Sequence, residues 1–178
     1  IKKEKVVNDY LEYLQYQKNY SLYTVESYHI DIEEFFKYLE RESLSFLDLC
    51  YDDLRFYLMY LKEEMKDSNS SIDRKLSSLR GFYKFLANEG YIKQNVFSLV
   101  SGQKKEKKLP RYFEYNELEE LFSVPDNTPM GQRDLLLLEM LYATGVRVGE
   151  LVSIKVKDID LGRRNIIILG KGNKERYV

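Results

Sequence analysis

The chain of 178 residues carries a basic segment between residues 74 and 111 whose composition suits a phosphate-rich partner. Ten lysine and arginine residues lie there against two glutamates, a local net charge of +8, whereas the whole chain has a net charge of -1. Lysine and arginine neutralise phosphates, so this segment favours a polyanionic partner that meets one region of the chain. A solvated helix face followed by a charged linker predicts the same composition, and charge alone does not separate these two interpretations.

Other kinds of site chemistry are poorly represented. The sequence contains one cysteine, Cys50, and one histidine, His29. These counts exclude an internal disulfide and argue against a zinc site, so we expect no metal. No apolar run approaches the roughly 20 residues of a membrane helix, and no signal peptide is evident. We therefore expect a soluble protein of a reducing cytoplasm that makes no membrane contact.

The elements that would position the basic residues are helices. Apolar residues recur at spacings of three and four, which predicts helices over residues 3 to 18, 22 to 39, 52 to 65 and 72 to 86. A short helical turn is expected at residues 96 to 100. The first hundred residues therefore read as a four-helix domain.

The fourth predicted helix carries the candidate contact residues. Arg74, Lys75, Ser78 and Lys84 avoid its apolar stripe, and Arg80 points away from much of it. Cations that neutralise phosphates, together with small hydroxyl side chains that permit close approach, suit a duplex groove. An ordinary exposed helix has the same pattern.

The start of the second helix has a similar ambiguity. Ser21 is a candidate N-cap, and Thr24 follows it by three residues. These hydroxyl groups can cap the helix, bind a phosphate, or do both.

A basic, apolar-poor stretch marks the expected domain boundary. We predict a helical domain over residues 1–103, a linker over 104–110 and a second domain over 111–178. Lys108 in the linker and Arg111 just after it continue the positive charge. The linker either follows a DNA backbone or serves as a soluble tether.

The second block changes character. Its pattern predicts helices at residues 117 to 122, 132 to 142 and 147 to 152, then strands at 164 to 169 and 174 to 178. The two strands enclose a Gly-Lys-Gly-Asn turn and form a predicted β-hairpin. These elements bury little apolar surface for an independent domain.

Two segments of this block carry a family resemblance. Residues 143–151, Ala-Thr-Gly-Val-Arg-Val-Gly-Glu-Leu, resemble the first catalytic-arginine motif of tyrosine recombinases, the phage integrase family. Residues 170–176, Gly-Lys-Gly-Asn-Lys-Glu-Arg, resemble the hairpin that carries the catalytic lysine of that family. Residues 21–24 and 74–83 are similar to its core-DNA-binding domain. The closest resemblance is to bacterial Xer-type recombinases, which resolve chromosome dimers.

The resemblance implies a mainly α fold: a four-helix SAM-like core-DNA-binding domain, then the start of an α+β catalytic domain with a β-hairpin. It implies that a tyrosine attacks a DNA phosphate and forms a 3′-phosphotyrosyl intermediate, with no cofactor. Arg147 matches the residue that stabilises the developing charge, and Glu150 could orient it. Lys171 matches the residue that protonates the leaving 5′-oxygen.

The chain also departs from the family pattern. No residues match the family's His-x-x-Arg motif, its following His or Trp, or its nucleophilic tyrosine. Our hypothesis is that the chain is an amino-terminal piece of a longer recombinase and cannot cleave DNA by itself. The expected partner is a double-stranded recombination site, bound by a homo- or hetero-tetramer of the complete enzyme.

Three interpretations stay open. The first is a piece of a longer recombinase, which serves either chromosome-dimer resolution or the integration of a mobile element. The alternative is a naturally truncated, cleavage-dead DNA-binding protein. A weaker third interpretation is a helical protein-interaction module with an accidental basic patch.

Overall fold

The computed structural model describes residues 2–100, 109, 111–170 and 174–178. The chain divides into two compact units, Ile1–Lys108 and Leu109–Val178. Each unit has its own elements and its own apolar cluster, and each is described by itself.

The N-terminal unit is helical throughout its described regular elements. Its four α-helices are α1 (Lys3–Glu12), α2 (Leu22–Arg41), α3 (Tyr51–Glu63) and α4 (Asn69–Asn88). A π-helical segment, Tyr13–Gln17, extends α1, and a 3-10 turn, Val96–Leu99, follows α4.

Side-chain and backbone caps explain where three of these helices begin. The Ser21 hydroxyl accepts a hydrogen bond from the Thr24 amide at 3.3 Å, and the Ser68 hydroxyl accepts one from Ser71 at 3.2 Å. The Cys50 amide donates to a carboxylate oxygen of Asp53 at 2.8 Å. Each cap satisfies a polar group that the first helical turn leaves without an intrahelical partner.

One large apolar cluster joins the four helices. Aromatic rings dominate its centre: Phe35 meets Tyr57 edge-on at 4.7 Å between centroids, and Tyr83 lies 4.6 Å from Phe97. The phenol of Tyr83 also donates a hydrogen bond to the carbonyl of Phe46 at 2.8 Å. Burial of these large side chains supplies the main driving force for folding this unit.

The C-terminal unit combines short helices with a small sheet. Its helices are α5 (Tyr115–Ser123), α6 (Pro129–Thr144) and α7 (Val148–Leu151), and a 3-10 turn, Val156–Asp158, leads into the sheet. Thr128 caps α6 by accepting from the Gly131 amide at 3.1 Å. Gly145 ends α6 with a φ of 60°, a left-handed conformation that glycine adopts without strain.

The sheet has three antiparallel strands in the order β1-β2-β3, namely Ile159–Asp160, Asn165–Leu169 and Glu175–Tyr177. Leu169 is opposite Glu175, and Ile168 is opposite Arg176. Alternation along β2 directs Ile166 and Ile168 into a cluster with Val146 and Leu151.

The predicted fold class is confirmed: helices dominate the chain, and a small antiparallel sheet follows them. The N-terminal helices lie close to their predicted ranges. Two details of the C-terminal unit were predicted incorrectly. The helix expected over residues 147–152 is only four residues long, and the sheet has a third strand, the two-residue β1, where only two strands were predicted.

Candidate nucleic-acid interface and catalytic arginine

Helix α4 has one narrow exposed face. Arg74, Ser77, Lys84 and Asn88 are exposed along it, and Gly81 is half-buried between them. Their spacings of three and four place them on one side of the helix. This set is called the α4 face. It combines two cations with small polar side chains, which suits contact with a phosphate backbone.

Lys75 does not belong to the α4 face, so the prediction that it lies away from the buried side of the helix is wrong. Its side chain is buried, and its ammonium donates to Glu34 and, at 2.6 Å, to Asp67. Burial disfavours the charged form, but the hydrogen bonds to Asp67 and Glu34 outweigh it and raise the pKa of Lys75. Lys75 therefore ties α4 to α2 and to the loop before α4.

Ser78 and Arg80 are also unavailable on the α4 face, because Ser78 is buried and Arg80 is hydrogen-bonded within the N-terminal unit. Ser78 is fully buried, contrary to prediction, and its hydroxyl has no hydrogen-bond partner among the described residues. Arg80 is half-buried, and its guanidinium donates to the carbonyls of Phe97 at 3.2 Å and Val100 at 2.9 Å. Arg80 thus holds the 3-10 turn against α4, and nothing in the structure directs it outward.

Arg74 is placed at the surface, but its charge is partly offset. Its side chain is 49% exposed, and its guanidinium donates to the fully buried carboxylate of Asp31 on α2. Lys84 is exposed and makes no ion pair within the described chain. Lys84 is therefore the cation on the α4 face whose charge is most available to a partner.

The start of α2 presents both predicted hydroxyl residues. Ser21 is exposed and Thr24 is half-buried, and their hydroxyl oxygens lie 2.9 Å apart. Ser21 already caps the helix through the Thr24 amide. The structure therefore shows the capping role, and a phosphate contact by these hydroxyl groups stays a prediction.

A cleft of about 400 Å³ borders the α4 face inside the N-terminal unit. Ser77, Gly81 and Lys84 form one side of it, and Lys18 and Tyr28 lie on other parts of its lining. Lys18 and Ser77 were not identified from the sequence. A helical wheel of α4 would have revealed Ser77, because it lies on the same line as Arg74 and Lys84.

In the C-terminal unit, Arg147 is the residue that precedes α7. Its side chain is 76% exposed, and Nη1 donates to Oε1 of Glu150 at 2.9 Å. Its backbone amide donates to Oε2 of Glu150 at 2.8 Å. Glu150 therefore fixes both the start of the helix and the direction of the guanidinium, while the other N–H groups of that guanidinium have no partner among the described residues.

Glu150 is the centre of a larger network that the sequence did not reveal. Its side chain is only 9% exposed, and it receives two further hydrogen bonds from Arg176 on β3, from Nη1 at 2.9 Å and from Nη2 at 2.8 Å. These hydrogen bonds from Arg176, with the Arg147 amide and side chain, lower the pKa of Glu150 to about 2. The carboxylate is consequently ionised at neutral pH and holds two guanidinium groups.

The remaining predicted residues are less informative. Lys171 and Lys108 lie outside the described residues. Arg111 has a side chain that is 91% exposed and lies 3.6 Å from a carboxylate oxygen of Glu117. Among the described residues, no group of three or more His, Cys, Asp or Glu side chains could hold a metal ion. No helix in the described ranges is long and apolar enough to cross a membrane.

Comparison with protein families gives one match in each of the two units. Residues 7–90 match the phage integrase N-terminal SAM-like domain, and residues 111–178 match the phage integrase family. A tyrosine recombinase XerC of Anoxybacillus flavithermus is 49% identical over 174 residues, which are 97% of this chain and 58% of the relative. A tyrosine recombinase XerC of Bacillus subtilis is 45% identical over 95% of this chain and 56% of the relative. The chain thus spans somewhat more than half the length of these curated relatives.

Solved structures share the fold at low sequence identity. A lambda integrase dimer bound to a COC′ core site has a TM-score of 0.75 and 19% identity, covering 100% of this chain and 48% of the integrase. XerH site-specific recombinase bound to a palindromic difH substrate has a TM-score of 0.72 and 23% identity, covering 100% of this chain and 58% of XerH.

Proposed function

The chain belongs to the phage integrase family of tyrosine recombinases, and we propose on this basis that its N-terminal unit binds the duplex of a recombination site. The observation that carries the proposal is the α4 face. There Lys84 and Arg74 flank the small residues Ser77 and Gly81, on a helix whose other sides are mostly buried or half-buried. Small residues permit a close approach to a groove, and the two cations supply contacts to phosphates.

Within this proposal, the start of α2 adds Ser21 and Thr24 as contacts to the same backbone. Lys108 and Arg111 extend the positive charge beyond α4. Lys75, Ser78 and Arg80 are left out, because their polar groups are buried or already bound within the N-terminal unit. The interface is therefore narrower than the basic sequence segment indicates.

We propose that the C-terminal unit contributes to strand exchange through Arg147 and Lys171. In a phosphoryl transfer, a fixed guanidinium stabilises charge on the non-bridging phosphate oxygens, and Arg147 offers unpaired N–H donors for this. Lys171, which lies between β2 and β3 in the sequence, is proposed to protonate the leaving 5′-oxygen. The resemblance to XerC relatives favours chromosome-dimer resolution by a homo- or hetero-tetramer in the cytoplasm over integration of a mobile element.

The 178-residue chain itself is proposed to bind DNA without cutting it. Its sequence offers no match to the family's second arginine motif or its nucleophile. Incubation with a nicked recombination site should therefore give no covalent protein–DNA adduct on a denaturing gel. A stable adduct would contradict this part of the proposal and leave the binding interface in place. A naturally truncated, cleavage-dead DNA-binding protein is the alternative that shares this outcome.

The binding proposal is tested by fluorescence anisotropy of a labelled mixed-sequence duplex across a series of salt concentrations. Phosphate neutralisation releases counterions, so the logarithm of the binding constant should fall linearly and steeply with the logarithm of salt. Lys84→Ala should weaken binding and reduce that slope by about 1. The matched control is Lys62→Ala, which removes an exposed lysine from α3 and should change neither quantity. A flat salt dependence would instead favour the protein-interaction module.

A further inference from the structure

Arg176 occupies a special position in the C-terminal unit. It lies on β3, opposite Ile168 of β2, and follows Lys171 by five positions in the sequence. Its guanidinium crosses to α7 and binds both carboxylate oxygens of Glu150, at 2.9 and 2.8 Å. One planar, two-pronged contact therefore joins β3 to α7, the helix that follows Arg147.

The hydrogen bonds at Glu150 are shared evenly. Oε1 accepts from Arg147 Nη1 and from Arg176 Nη1, and Oε2 accepts from the Arg147 amide and from Arg176 Nη2. Each oxygen thus already has two donors. Arg147 cannot turn to form its own two-pronged pair with Glu150 without displacing Arg176, so its other N–H groups stay free for a ligand.

Charge leads to the same conclusion. Two guanidinium groups and one carboxylate leave this three-residue cluster with a net charge of +1. Without Arg176, Arg147 and Glu150 would form a neutral pair, and the attraction for a phosphate would be weaker. Glu150 is nearly buried whereas Arg147 is exposed, so the positive group is the one that faces solvent.

We propose that Arg176 is a positioning residue, which occupies both oxygens of Glu150 and so leaves the guanidinium of Arg147 only partly paired and open toward a DNA phosphate. This inference rests on the proposed function, because it assigns the phosphate as the ligand of Arg147. The proposal does not require Arg176 to touch DNA. It also links the placement of β3 to that of Arg147, because β3 carries the connecting side chain.

The test uses the free 178-residue chain with ¹⁵N-labelled arginine, observed by NMR without DNA. In the unsubstituted chain, the Arg147 and Arg176 Nη groups should exchange slowly, as hydrogen-bonded guanidinium groups do. Arg176→Gln frees an acceptor position on each oxygen of Glu150, so Arg147 should form the two-pronged pair and its guanidinium should rotate about tenfold more slowly, the equivalent of gaining about one hydrogen bond. It should also raise the pKa of Glu150 from about 2 toward its usual 4.5. If Arg176 served only to pack β3, the variant would show the same rotation rate for the Arg147 guanidinium and the same pKa for Glu150.

Two further variants separate geometry from charge. Arg176→Lys keeps the positive charge but loses the planar fork, so it should restore part of the low pKa of Glu150 without restoring the faster rotation of the Arg147 guanidinium. Arg163→Gln removes an exposed arginine that pairs with Asp160 near the same strands, and it should change neither signal. Unaltered Arg147 rotation in a folded Arg176→Gln chain would overturn the proposal. If that variant does not fold, free rotation of the Arg176 guanidinium in the unsubstituted chain would overturn it equally.

Addition of inorganic phosphate completes the test. Phosphate should perturb the Arg147 resonances of the unsubstituted chain, and several-fold higher concentrations should be needed in Arg176→Gln. Equal phosphate affinity in the two chains would contradict the electrostatic part of the proposal. Because these measurements involve only the C-terminal unit, they are independent of whether the α4 face binds a duplex.

Discussion

The two units of the chain reach their order by different means. In the N-terminal unit, buried aromatic and aliphatic side chains from all four helices form one continuous cluster. In the C-terminal unit, the buried apolar cluster consists of Val146, Leu151, Ile166 and Ile168, and the nearby contacts of Glu150 are polar. The first unit is thus specified mainly by apolar burial, and the second depends more strongly on a few directional hydrogen bonds.

This difference is visible in helix α6. Of its sixteen residues, only Gly131 is buried. Even apolar side chains of this helix are exposed, among them Leu136, Leu137 and Tyr142. In α4, by contrast, apolar residues are buried on most sides of the helix. A substitution of the same kind should therefore have a larger effect on the N-terminal unit than on the C-terminal unit.

The largest expected effect comes from removing a core side chain of the N-terminal unit. Phe82→Ala deletes a ring that is fully buried, and we expect it to lower the free energy of unfolding by about 3–5 kcal/mol. Ile168→Ala in the C-terminal unit should cost about 2 kcal/mol, at the low end for such a deletion, because few buried residues surround it. Urea unfolding followed by circular dichroism measures the first, and amide signals of β2 report the second. Equal losses in the two variants would contradict the comparison.

A second prediction compares two lysines of the same helix. Lys75→Met leaves the carboxylates of Glu34 and Asp67 without their shared cation, so it should destabilise the N-terminal unit by about 3 kcal/mol. Lys84→Met changes an exposed side chain and should alter stability by less than about 0.5 kcal/mol. Duplex affinity should show the reverse order, with the loss confined to Lys84→Met while the Lys75 variant remains folded. A similar loss of duplex affinity in both variants would show that Lys75 belongs to the DNA-binding interface.

These lysines show how far the sequence predicts the fold and the interface. Spacings of three and four predicted α4 correctly, because its main apolar stripe is continuous. The buried part of the helix is wider than its apolar stripe, because α4 packs against several elements. Lys75 and Ser78, which lie outside the stripe, are buried as well. A buried ion pair cannot be recognised from spacing in one helix, because Glu34 and Asp67 come from other parts of the chain.

The same limit applies to the C-terminal unit. The segment from 143 to 151 identified Arg147 and Glu150 as neighbours, since they are three positions apart at the start of a short helix. The sequence did not identify Arg176 as their third partner, because its approach depends on the register of β2 and β3. Contacts within one element were therefore predictable, whereas contacts that depend on strand pairing were not.

A smaller effect is expected where α4 passes close to α1. A Cβ added at Gly81 would lie 2.7 Å from the Tyr10 hydroxyl oxygen, so Gly81→Ala should cost about 1 kcal/mol despite alanine's better helix propensity. In a Tyr10→Phe background the obstructing oxygen is absent. There the same substitution should stabilise the N-terminal unit by about 0.5–1 kcal/mol. A double-mutant cycle from urea unfolding measures this change of sign. Destabilisation of equal size in both backgrounds would show that another contact opposes the methyl group.

The last expected effect appears only in acid and comes from the polar network of the C-terminal unit. The folded-state pKa of Glu150 is about 2, below its usual 4.5, because Arg176 and Arg147 donate to the carboxylate. Its contribution to stability is therefore complete above pH 4.5 and is lost as the pH falls toward 2. Asp126, whose pKa is lowered by hydrogen bonds from Thr128, titrates in the same unit, so the comparison must be made with Glu150→Gln. Thermal unfolding of the β2 amide signals should depend on pH more steeply in the unsubstituted chain than in that variant. Identical pH profiles would mean that apolar burial alone holds α7 and the sheet together, and the contrast between the two units would disappear.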